Sequence, residues 1–443
     1  MSFARWYLLT LLMTAGLAGL WLAGMNDEAL AQEVCLPNGF TDDGDPCTGQ
    51  DVPRLVVQCP GDTSNPLDGI SDVPGIVCKH LAASEGFIRM ADGRPGLFIF
   101  GFSDLTNLPL EPLNPPVTVE NALAYGIMGA QFTAPTLSFK EGDKVYLTLS
   151  NAGFVSRMDL FDPHSVHWHG FPNAALVYDG EPDGSISVNP THSLTYYYEP
   201  VEVGTFIYHC HVEATEHMQM GMLGNLYVTP KQNDLSPQTF PNDFVHVTGN
   251  KYVYNDGDGS TRYDVEFPLQ IGGMDPVFHD ASATIQPLPF ANMKDTYALL
   301  NGRGYPDTVN PLPLPAPQEK VDFGYLSKDT SSNPVSSLVQ AQAGQKILLR
   351  ISNLNVTRFY TLSAMGLTMK VVGTGAHILK GPNGLPAYYD TNSVTLGGGE
   401  AMDVLIDTTD VPTGTYFLYT TNLNYLSNNT EDFGGMMTEI HIL

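Results

Sequence analysis

The chain has few basic residues and little charge of either sign. Lysine and arginine number 20 against 47 aspartate and glutamate residues, for a net charge of −27, and this acidic excess disfavours nucleic acid as a partner. Charged residues make up only 15% of the chain, whereas glycine (43) and proline (33) are abundant. We see no segment with a convincing helical period. An all-β protein of two or three domains is therefore expected from the 443 residues.

Long apolar runs are also missing, except at the N-terminus. There, an apolar run extends from Trp6 to about Met25 and is followed by Ala29-Leu30-Ala31 before Gln32. This pattern is typical of a signal peptide, so we expect residues 1–31 to be removed after Ala31 and the mature protein to be periplasmic or extracellular. Retention of the run as a single membrane anchor is the alternative.

Cysteine is scarce, and its distribution is uneven. Four of the five cysteines fall between residues 32 and 85, and Cys210 stands alone. In an exported protein, these four cysteines predict two disulfides, and the remaining thiol of Cys210 is expected to have another role. Residues 32–85 are therefore expected to form an N-terminal segment stapled by disulfides, with three pairings open among Cys35, Cys47, Cys59 and Cys78.

Two short runs contain six of the twelve histidines, HSVHWHG from His164 and YHCHVEATEHMQMGM from Tyr208. Because alternate side chains of a strand share a face, His167 and His169 point one way, and His209 and His211 do the same on a second strand. Cys210 then points to the opposite face. A thiolate, two imidazoles and a distant thioether form the ligand set of a blue-copper site, which His164, Cys210, His217 and Met222 supply. A closed zinc site is less favoured, because zinc has no need of paired HxH runs.

These two runs resemble those of the multicopper oxidases, which are built from cupredoxin domains. The resemblance implies type 1 copper at the Cys210 set, type 2 copper at His167, and a type 3 pair held by His169, His209 and His211. The spacing from His164 to His169 is similar to that in copper nitrite reductases, but His167 stands where those enzymes have an acid. A departure from the laccases is the seven-residue step from Cys210 to His217, where they use five.

An internal repeat predicts a second domain of the same fold. The segment Leu137–Asn151 recurs at Val339–Asn353, and GTFIY from Gly204 recurs as GTYFL from Gly414. The dipeptide Gly221-Met222 recurs as Gly435-Met436. We therefore expect two cupredoxin-like Greek-key β-sandwiches, at 86–230 and 231–443. In register, the second copy replaces the metal-binding residues by side chains that do not form a copper(II) ligand set, namely Tyr360, Ser363, Met365, Tyr419, Thr420 and Thr421.

The family resemblance implies a dioxygen-reducing cluster of eight histidines, of which this chain offers four. The missing imidazoles are expected from another polypeptide or from a second copy across a two-fold axis, so a homo-oligomer or heteromeric assembly is predicted. Electrons would pass from a small reductant, a reduced metal ion or a redox protein to the type 1 copper, and through His209 or His211 to dioxygen. The alternatives are a non-catalytic electron carrier, a copper storage or delivery protein, and a nitrite-reductase-like enzyme.

Some further residues have weaker functional interpretations. Several acidic residues near the histidine runs are candidates for guiding a cationic reductant or relaying protons, namely Asp179, Glu181, Asp183, Glu213 and Glu216. Met218 and Met220 are candidates for a soft copper(I) patch, although core packing is the favoured role. Four isolated histidines are expected to lie in the core or on the surface rather than bind metal, namely His246, His279, His377 and His441.

Overall fold

The computed structural model describes residues 34–35, 52–53, 58–61, 71–106, 122–172 and 175–443. The chain divides into two units, residues 1–54 and 55–443. In the first unit, strands β1 (Val34–Cys35) and β2 (Val52–Pro53) pair in parallel. The predicted signal peptide, its cleavage point, and the side chains of Cys35 and Cys47 lie outside the described residues. Within the described part of the chain, the helices are too short to cross a membrane.

The second unit begins with a sandwich of two four-stranded sheets. Its strands are β3 (Ile76–Ile88), β4 (Leu97–Asp104), β5 (Ala134–Lys140), β6 (Lys144–Gly153), β7 (His167–His169), β8 (Ser193–Tyr198), β9 (Gly204–His209) and β10 (Leu223–Thr229). One sheet has the order β4-β3-β6-β8, and the other has the order β5-β10-β9-β7. Apolar side chains from both sheets, such as Phe100, Leu147, Trp168 and Tyr208, meet in one buried core. The boundary predicted at residue 85 falls within β3, which pairs with β6 from Ile76 to Ser84.

A second sandwich follows, built from larger sheets. The strands after residue 230 are β11 (Gln238–Thr239), β12 (Val245–His246), β13 (Lys251–Tyr252), β14 (Arg262–Tyr263), β15 (Val265–Met274), β16 (Tyr297–Leu300), β17 (Val339–Ala341), β18 (Lys346–Asn353), β19 (Tyr360–Ala364), β20 (Met369–Thr374), β21 (His377–Ile378), β22 (Tyr389–Thr391), β23 (Ser393–Leu396), β24 (Glu400–Asp407), β25 (Gly414–Thr420) and β26 (Met437–Ile442). One sheet has the order β16-β15-β18-β24-β20-β21, with β22 also paired to β20, and the other has the order β17-β26-β25-β19-β23. The all-β class with two sandwiches is confirmed.

Short helices, which the sequence analysis did not predict, interrupt the strands. In the part of the chain that the structure describes, they are α1 (Ala122–Gly126), α2 (Ala214–Met220), α3 (Pro276–Ser282) and α4 (Gln318–Phe323). Six 3₁₀ turns also lie in this part, at Leu176–Tyr178, Lys231–Asp234, Phe290–Asn292, Asp307–Val309, Leu326–Asp329 and Leu423–Tyr425. None of the four exceeds seven residues, which is too short for a 3.6-residue period to stand out. Helix α2 ends at Gly221, whose φ of 118° and backbone N–H donation to His217 form its C-terminal cap.

One of the two predicted disulfides lies within the described residues. Cys59 bonds to Cys78, with their Cα atoms 5.6 Å apart, so the bond ties the segment 58–61 to β3. An N-terminal segment containing a disulfide is therefore confirmed.

A buried ionic network joins the two sandwiches. Arg350 on β18 is fully buried and pairs with Glu266 at 2.8 Å and with Asp403 at 3.3 Å. Asp403 also accepts a hydrogen bond of 2.6 Å from Thr205, which lies on β9 of the first sandwich. Because a buried ion pair that loses a partner leaves an uncompensated charge, this network fixes how the sandwiches pack.

The second sandwich repeats the backbone of the first in the predicted register. Ser363 stands opposite Tyr419, as His167 stands opposite His209. The backbone N–H of Thr420 donates to the carbonyl of Met436 at 3.0 Å, and that of Cys210 donates to Met222 at the same distance. The copies therefore share a fold, while the second has none of the histidines and no cysteine at these positions.

Candidate metal centre

The strands place His164, Cys210, His217 and Met222 together in the first sandwich, and we call this group the cysteine site. Cys210 follows the last residue of β9, His217 lies on α2, and Met222 precedes β10. All four side chains are at most 1% exposed. Ligand atoms of His164, Cys210 and His217 lie within 4.8 Å of one another.

Both imidazoles of the cysteine site turn the same nitrogen towards the sulfur. The distance from the Cys210 Sγ to Nδ1 is 3.2 Å for His217 and 3.9 Å for His164. The backbone N–H of Ser165 also donates to the sulfur at 3.4 Å. Cys210 is not part of a disulfide. A buried set of one free thiol and two Nδ1 atoms fits the donor chemistry of a type 1 copper ion.

The charge of the cysteine site is set by its own partners. Burial alone would raise the pKa of the Cys210 thiol, but His217 and His164 lower it to about 5. Burial would in turn lower the pKa of His217, yet the Cys210 thiolate and Asp162 raise it well above its usual value. The thiolate that a metal requires is therefore stabilised before any metal binds.

Asp162 is a partner that the sequence analysis missed. Its carboxylate lies 3.2 Å from the His217 Nε2, and the hydrogen bond and the charge of His217 lower the pKa of Asp162 against the opposing effect of burial. A carboxylate on the far nitrogen fixes the ring orientation of a metal-binding histidine. Asp162 is one acid among many in the sequence, so only the fold could single it out.

On the other side of Cys210, four imidazoles line a cavity of about 600 Å³, which we call the histidine cleft. His167 on β7 is directly opposite His209 on β9, and their ring centroids are 5.2 Å apart. The His169 Nδ1 lies 3.2 Å from the His209 Nε2. Ligand atoms of His167, His169 and His209 fall within 4.8 Å of one another, whereas His211 joins through a ring contact of 5.0 Å with His167.

The imidazoles of the histidine cleft are held by their outer nitrogens. The His167 Nδ1 is 2.7 Å from the carbonyl of Asp179, and the His209 Nδ1 is 2.8 Å from the carbonyl of Cys210. Each of these two rings therefore turns its Nε2 away from the carbonyl, and the His209 Nε2 faces the His169 Nδ1. Burial lowers the pKa of His167, His169 and His209, to about 3 for His209, so these rings are neutral and able to act as ligands at neutral pH.

The opposite wall of the histidine cleft comes from the second sandwich of the same chain. It contains residues 354–359, Gly398 and Gly399, with no histidine among its described residues. The contact is tight at Gly399, where an added Cβ would stand 2.7 Å from the His169 Nε2. This wall was not predicted, since nothing in the sequence says which loops face the histidines.

The acidic residues and methionines that were weaker candidates lie beside the two sites or in the core. An oxygen of Asp179 lies 3.6 Å from the His167 Nδ1, and one of Glu181 lies 3.9 Å from the His211 Nδ1. Burial and two neighbouring acids raise the pKa of Glu216 to about 7, although His217 opposes them. Met218 lines the histidine cleft, whereas Met220 is in the core.

The isolated histidines stay out of both candidate sites. His279 is buried, and its ring nitrogens lie 2.6 and 3.1 Å from backbone carbonyls. His377 and His441 lie near glutamates at 3.6 and 2.7 Å, and His246 is buried against Tyr252.

Known proteins with similar sequences include plant laccases and ascorbate oxidases. The chain is 24% identical to laccase-18 from Oryza sativa over 299 residues, covering 66% of this chain and 40% of the laccase. It is 22% identical to L-ascorbate oxidase from Nicotiana tabacum over 333 residues, covering 71% of this chain and 50% of the oxidase. The chain therefore spans half or less of the length of these relatives.

Solved structures support the cupredoxin-like fold. The blue copper oxidase from Nitrosomonas europaea matches with a TM-score of 0.55 and 18% identity, covering 82% of this chain and 85% of that one. The multicopper oxidase mgLAC matches with a TM-score of 0.56 and 19% identity at the same coverage. Two sequence models described as multicopper oxidase match residues 117–233 and 285–441. Together these matches cover more than half of the sequence, and the chain belongs to the multicopper oxidase family.

Proposed function

We propose that this protein is an exported copper-dependent oxidoreductase that passes electrons from a reductant to dioxygen. The observation that carries the proposal is the division of one tripeptide: the sulfur of Cys210 faces the cysteine site, while His209 and His211 face the histidine cleft. Copper bound at both places would supply one-electron chemistry, alternating between Cu(II) and Cu(I). The similar laccase and ascorbate oxidase are longer than this chain, so their activities apply to it only as part of this proposal.

The residues between the two sites support an electron route. Cys210 and His209 are covalent neighbours, and a hydrogen bond of 2.8 Å links the His209 ring to the Cys210 carbonyl. His209, His167 and His169 are neutral, so they can hold metal without first losing a proton. Asp179 and Glu181 lie near His167 and His211, and in this proposal they would hold the protons that dioxygen reduction consumes.

The surroundings of the cysteine site favour a cationic reductant. Asp162 contacts His217, and Glu213 and Glu216 lie at the start of the helix that carries it. The whole chain carries a net charge of −27, which concentrates cations near its surface. A reduced metal ion or a basic redox protein is the reductant class that fits best.

The wall opposite the four histidines affects whether histidines of another chain can join them in binding copper. The sequence analysis predicts that another chain supplies the four missing imidazoles, and this stays a prediction. Gly399 of the same chain lies close to the His169 Nε2, which supports a different arrangement. We therefore propose that the four histidines hold copper within one chain. If only the four histidines of this chain bind copper, the cluster holds fewer metal ions than a cluster of eight histidines. This favours the second candidate function, a non-catalytic electron carrier.

Oxygen uptake by the copper-loaded full chain tests the proposal. We expect an intense visible absorption from the copper–thiolate bond together with uptake that depends on a ferrous or phenolic reductant, and neither signal in the metal-free protein. Visible absorption without uptake would reject the oxidase in favour of the carrier. Reductant oxidation that requires nitrite instead of dioxygen would support the reductase alternative.

A further inference from the structure

The four imidazoles of the histidine cleft are not equivalent. The His169 Nδ1 and the His209 Nε2 are 3.2 Å apart, and together with His167 these rings bring three ligand atoms within 4.8 Å of one another. His211 is not part of this group. Its Nδ1 lies 3.9 Å from a carboxylate oxygen of Glu181, and its side chain is 33% exposed. The cleft therefore contains a group of three imidazoles with a fourth imidazole beside it.

The spacing of the three rings fits one metal ion. A tetrahedral ion, at the roughly 2.0 Å that imidazole nitrogens keep from zinc, holds its nitrogens about 3.3 Å apart. The 3.2 Å between the nitrogens of His169 and His209 matches this value. The His167 Nδ1 lies 2.7 Å from the carbonyl of Asp179, so Nε2 is the nitrogen that this ring can offer to a metal. Three imidazoles with one position open to the cavity form a ligand pattern of catalytic metal sites.

The side chains of this one chain do not fit a cluster of three copper ions. The family resemblance implies eight histidines for such a cluster, and the second four would have to face the first. The facing wall carries the polar side chains of Asn355, Thr357 and Arg358, and no imidazole, thiolate or carboxylate is among its described residues. The His169 Nε2 meets Gly399, which has no side chain to bind a metal.

The wall is also fixed in place by packing. Leu354 belongs to one buried cluster with Ile207 and Leu223 of the first sandwich. The N–H of Gly399 donates to the carbonyl of Asn353 at 2.8 Å. A second set of imidazoles would have to displace this packed wall, so the ligands of the cleft are those that the first sandwich supplies.

We propose that His167, His169 and His209 hold a single copper ion, and that the chain therefore reduces dioxygen by two electrons to hydrogen peroxide. The inference rests on the proposed function and narrows it. With one ion in the cysteine site and one in the histidine cleft, the chain stores two electrons, whereas water formation needs four. Two one-electron oxidations of the reductant supply these electrons. One dioxygen molecule takes up two electrons and two protons and becomes one molecule of hydrogen peroxide.

Copper analysis and electron paramagnetic resonance of the copper-loaded full chain test the single ion without measuring activity. We expect two copper ions per chain, both visible as Cu(II) in the spectrum, because neither has a neighbouring ion close enough to cancel its spin. More than two ions per chain, or Cu(II) that is missing from the spectrum through spin pairing, would overturn the inference. One ion per chain, held at the sulfur alone, would overturn it as well.

The matched variants His169→Ala and His211→Ala separate the group of three rings from the fourth, because both side chains line the same cavity. His169→Ala should lower the copper content from two ions per chain to one and keep the visible absorption of the cysteine site. His211→Ala should keep both ions. Equal losses in the two variants would show that all four rings act together, which contradicts the inference. The visible absorption reports whether each variant is folded, and His167→Ala provides the reading if His169→Ala is not.

Catalase tests the product of the reaction. Catalase converts two molecules of hydrogen peroxide into one of dioxygen and two of water. Adding it after turnover of the parent protein with a phenolic reductant should therefore return half of the oxygen consumed. No return of oxygen would mean that water is the product and would refute the two-electron reduction.

The two proposals fail in different ways. Absence of visible absorption or of oxygen uptake in the parent would reject the proposed function. A parent with both signals that contains spin-paired copper, or that reduces dioxygen to water, would reject this inference alone.

Discussion

Replacing Cys210 by serine separates the metal chemistry of the cysteine site from its contribution to folding. The side chain is fully buried and is not part of a disulfide, so serine removes the thiolate while leaving the strand and its core. Serine can also accept the hydrogen bond that the Ser165 N–H donates to the sulfur at 3.4 Å. We expect Cys210→Ser to fold and to lose the intense visible absorption of the copper-loaded protein.

The metal-free protein gives this substitution a second, quantitative readout. The folded pKa of Cys210 is depressed from 9 to about 5, and that of His217 is raised well above 6.5. Between about pH 5 and 6.5 the unfolded pair binds two protons, while the folded thiolate–imidazolium pair binds one. The free energy of unfolding therefore rises with pH across this window, by roughly 2 kcal/mol at 1.36 kcal/mol per pH unit.

Above pH 6.5 the contribution of this pair should become constant, because each state then binds one proton until the pH nears the usual thiol pKa of 9. In the other direction, the stabilisation is lost as the pH falls through the folded pKa of Cys210. Urea unfolding of metal-free parent and Cys210→Ser, at intervals from pH 5 to 8, measures the difference. Parallel stability curves for the two proteins would refute the thiolate–imidazolium pair, and retained colour in the variant would refute the ligand assignment.

Three further substitutions test other parts of the account. His167→Ala should leave the visible absorption intact and abolish oxygen uptake, because His167 lies in the histidine cleft and not beside the thiolate; a loss of absorption in the spectrum would contradict this separation. Arg350→Ala should lower the free energy of unfolding by about 3–5 kcal/mol, because it leaves Asp403 buried without its cation; urea unfolding measures this, and a change below about 1 kcal/mol would show that the network does not hold the sandwiches together. Gly273→Ala should cost about 1–3 kcal/mol by overpacking, since an added Cβ would stand 2.2 Å from the Asn355 Nδ2; thermal unfolding with no loss would mean that Asn355 moves freely.

Strand alternation was the part of the site that the sequence could predict. The period of two predicts Cys210 opposite His209 and His211 on one strand. In the structure β9 ends at His209, so Cys210 and His211 lie beyond the strand, yet the residues still fall into two separate groups. Repeated segments likewise predicted the second sandwich and the register in which Ser363 and Tyr419 take the places of His167 and His209, and these two residues are paired in the structure. Both inferences needed only local backbone geometry, which short sequence patterns encode well.

The features that escaped prediction depend on contacts between distant segments. Asp162 is recognisable only after the fold brings it to His217 on α2, and Arg358 and Gly399 only after the second sandwich packs over the histidine cleft. The choice of the Cys59–Cys78 bond among three pairings also depends on tertiary distance. Short helices such as α2 carry too few residues for a periodic signal.

Anomalous diffraction at the copper edge, from crystals of the copper-loaded full chain, tests the central claim most directly. We predict copper on both sides of Cys210 within one chain: one ion against the sulfur with His164 and His217, and at least one more in the histidine cleft. A single copper at the sulfur, or cleft copper completed by histidines of another chain, would contradict the account.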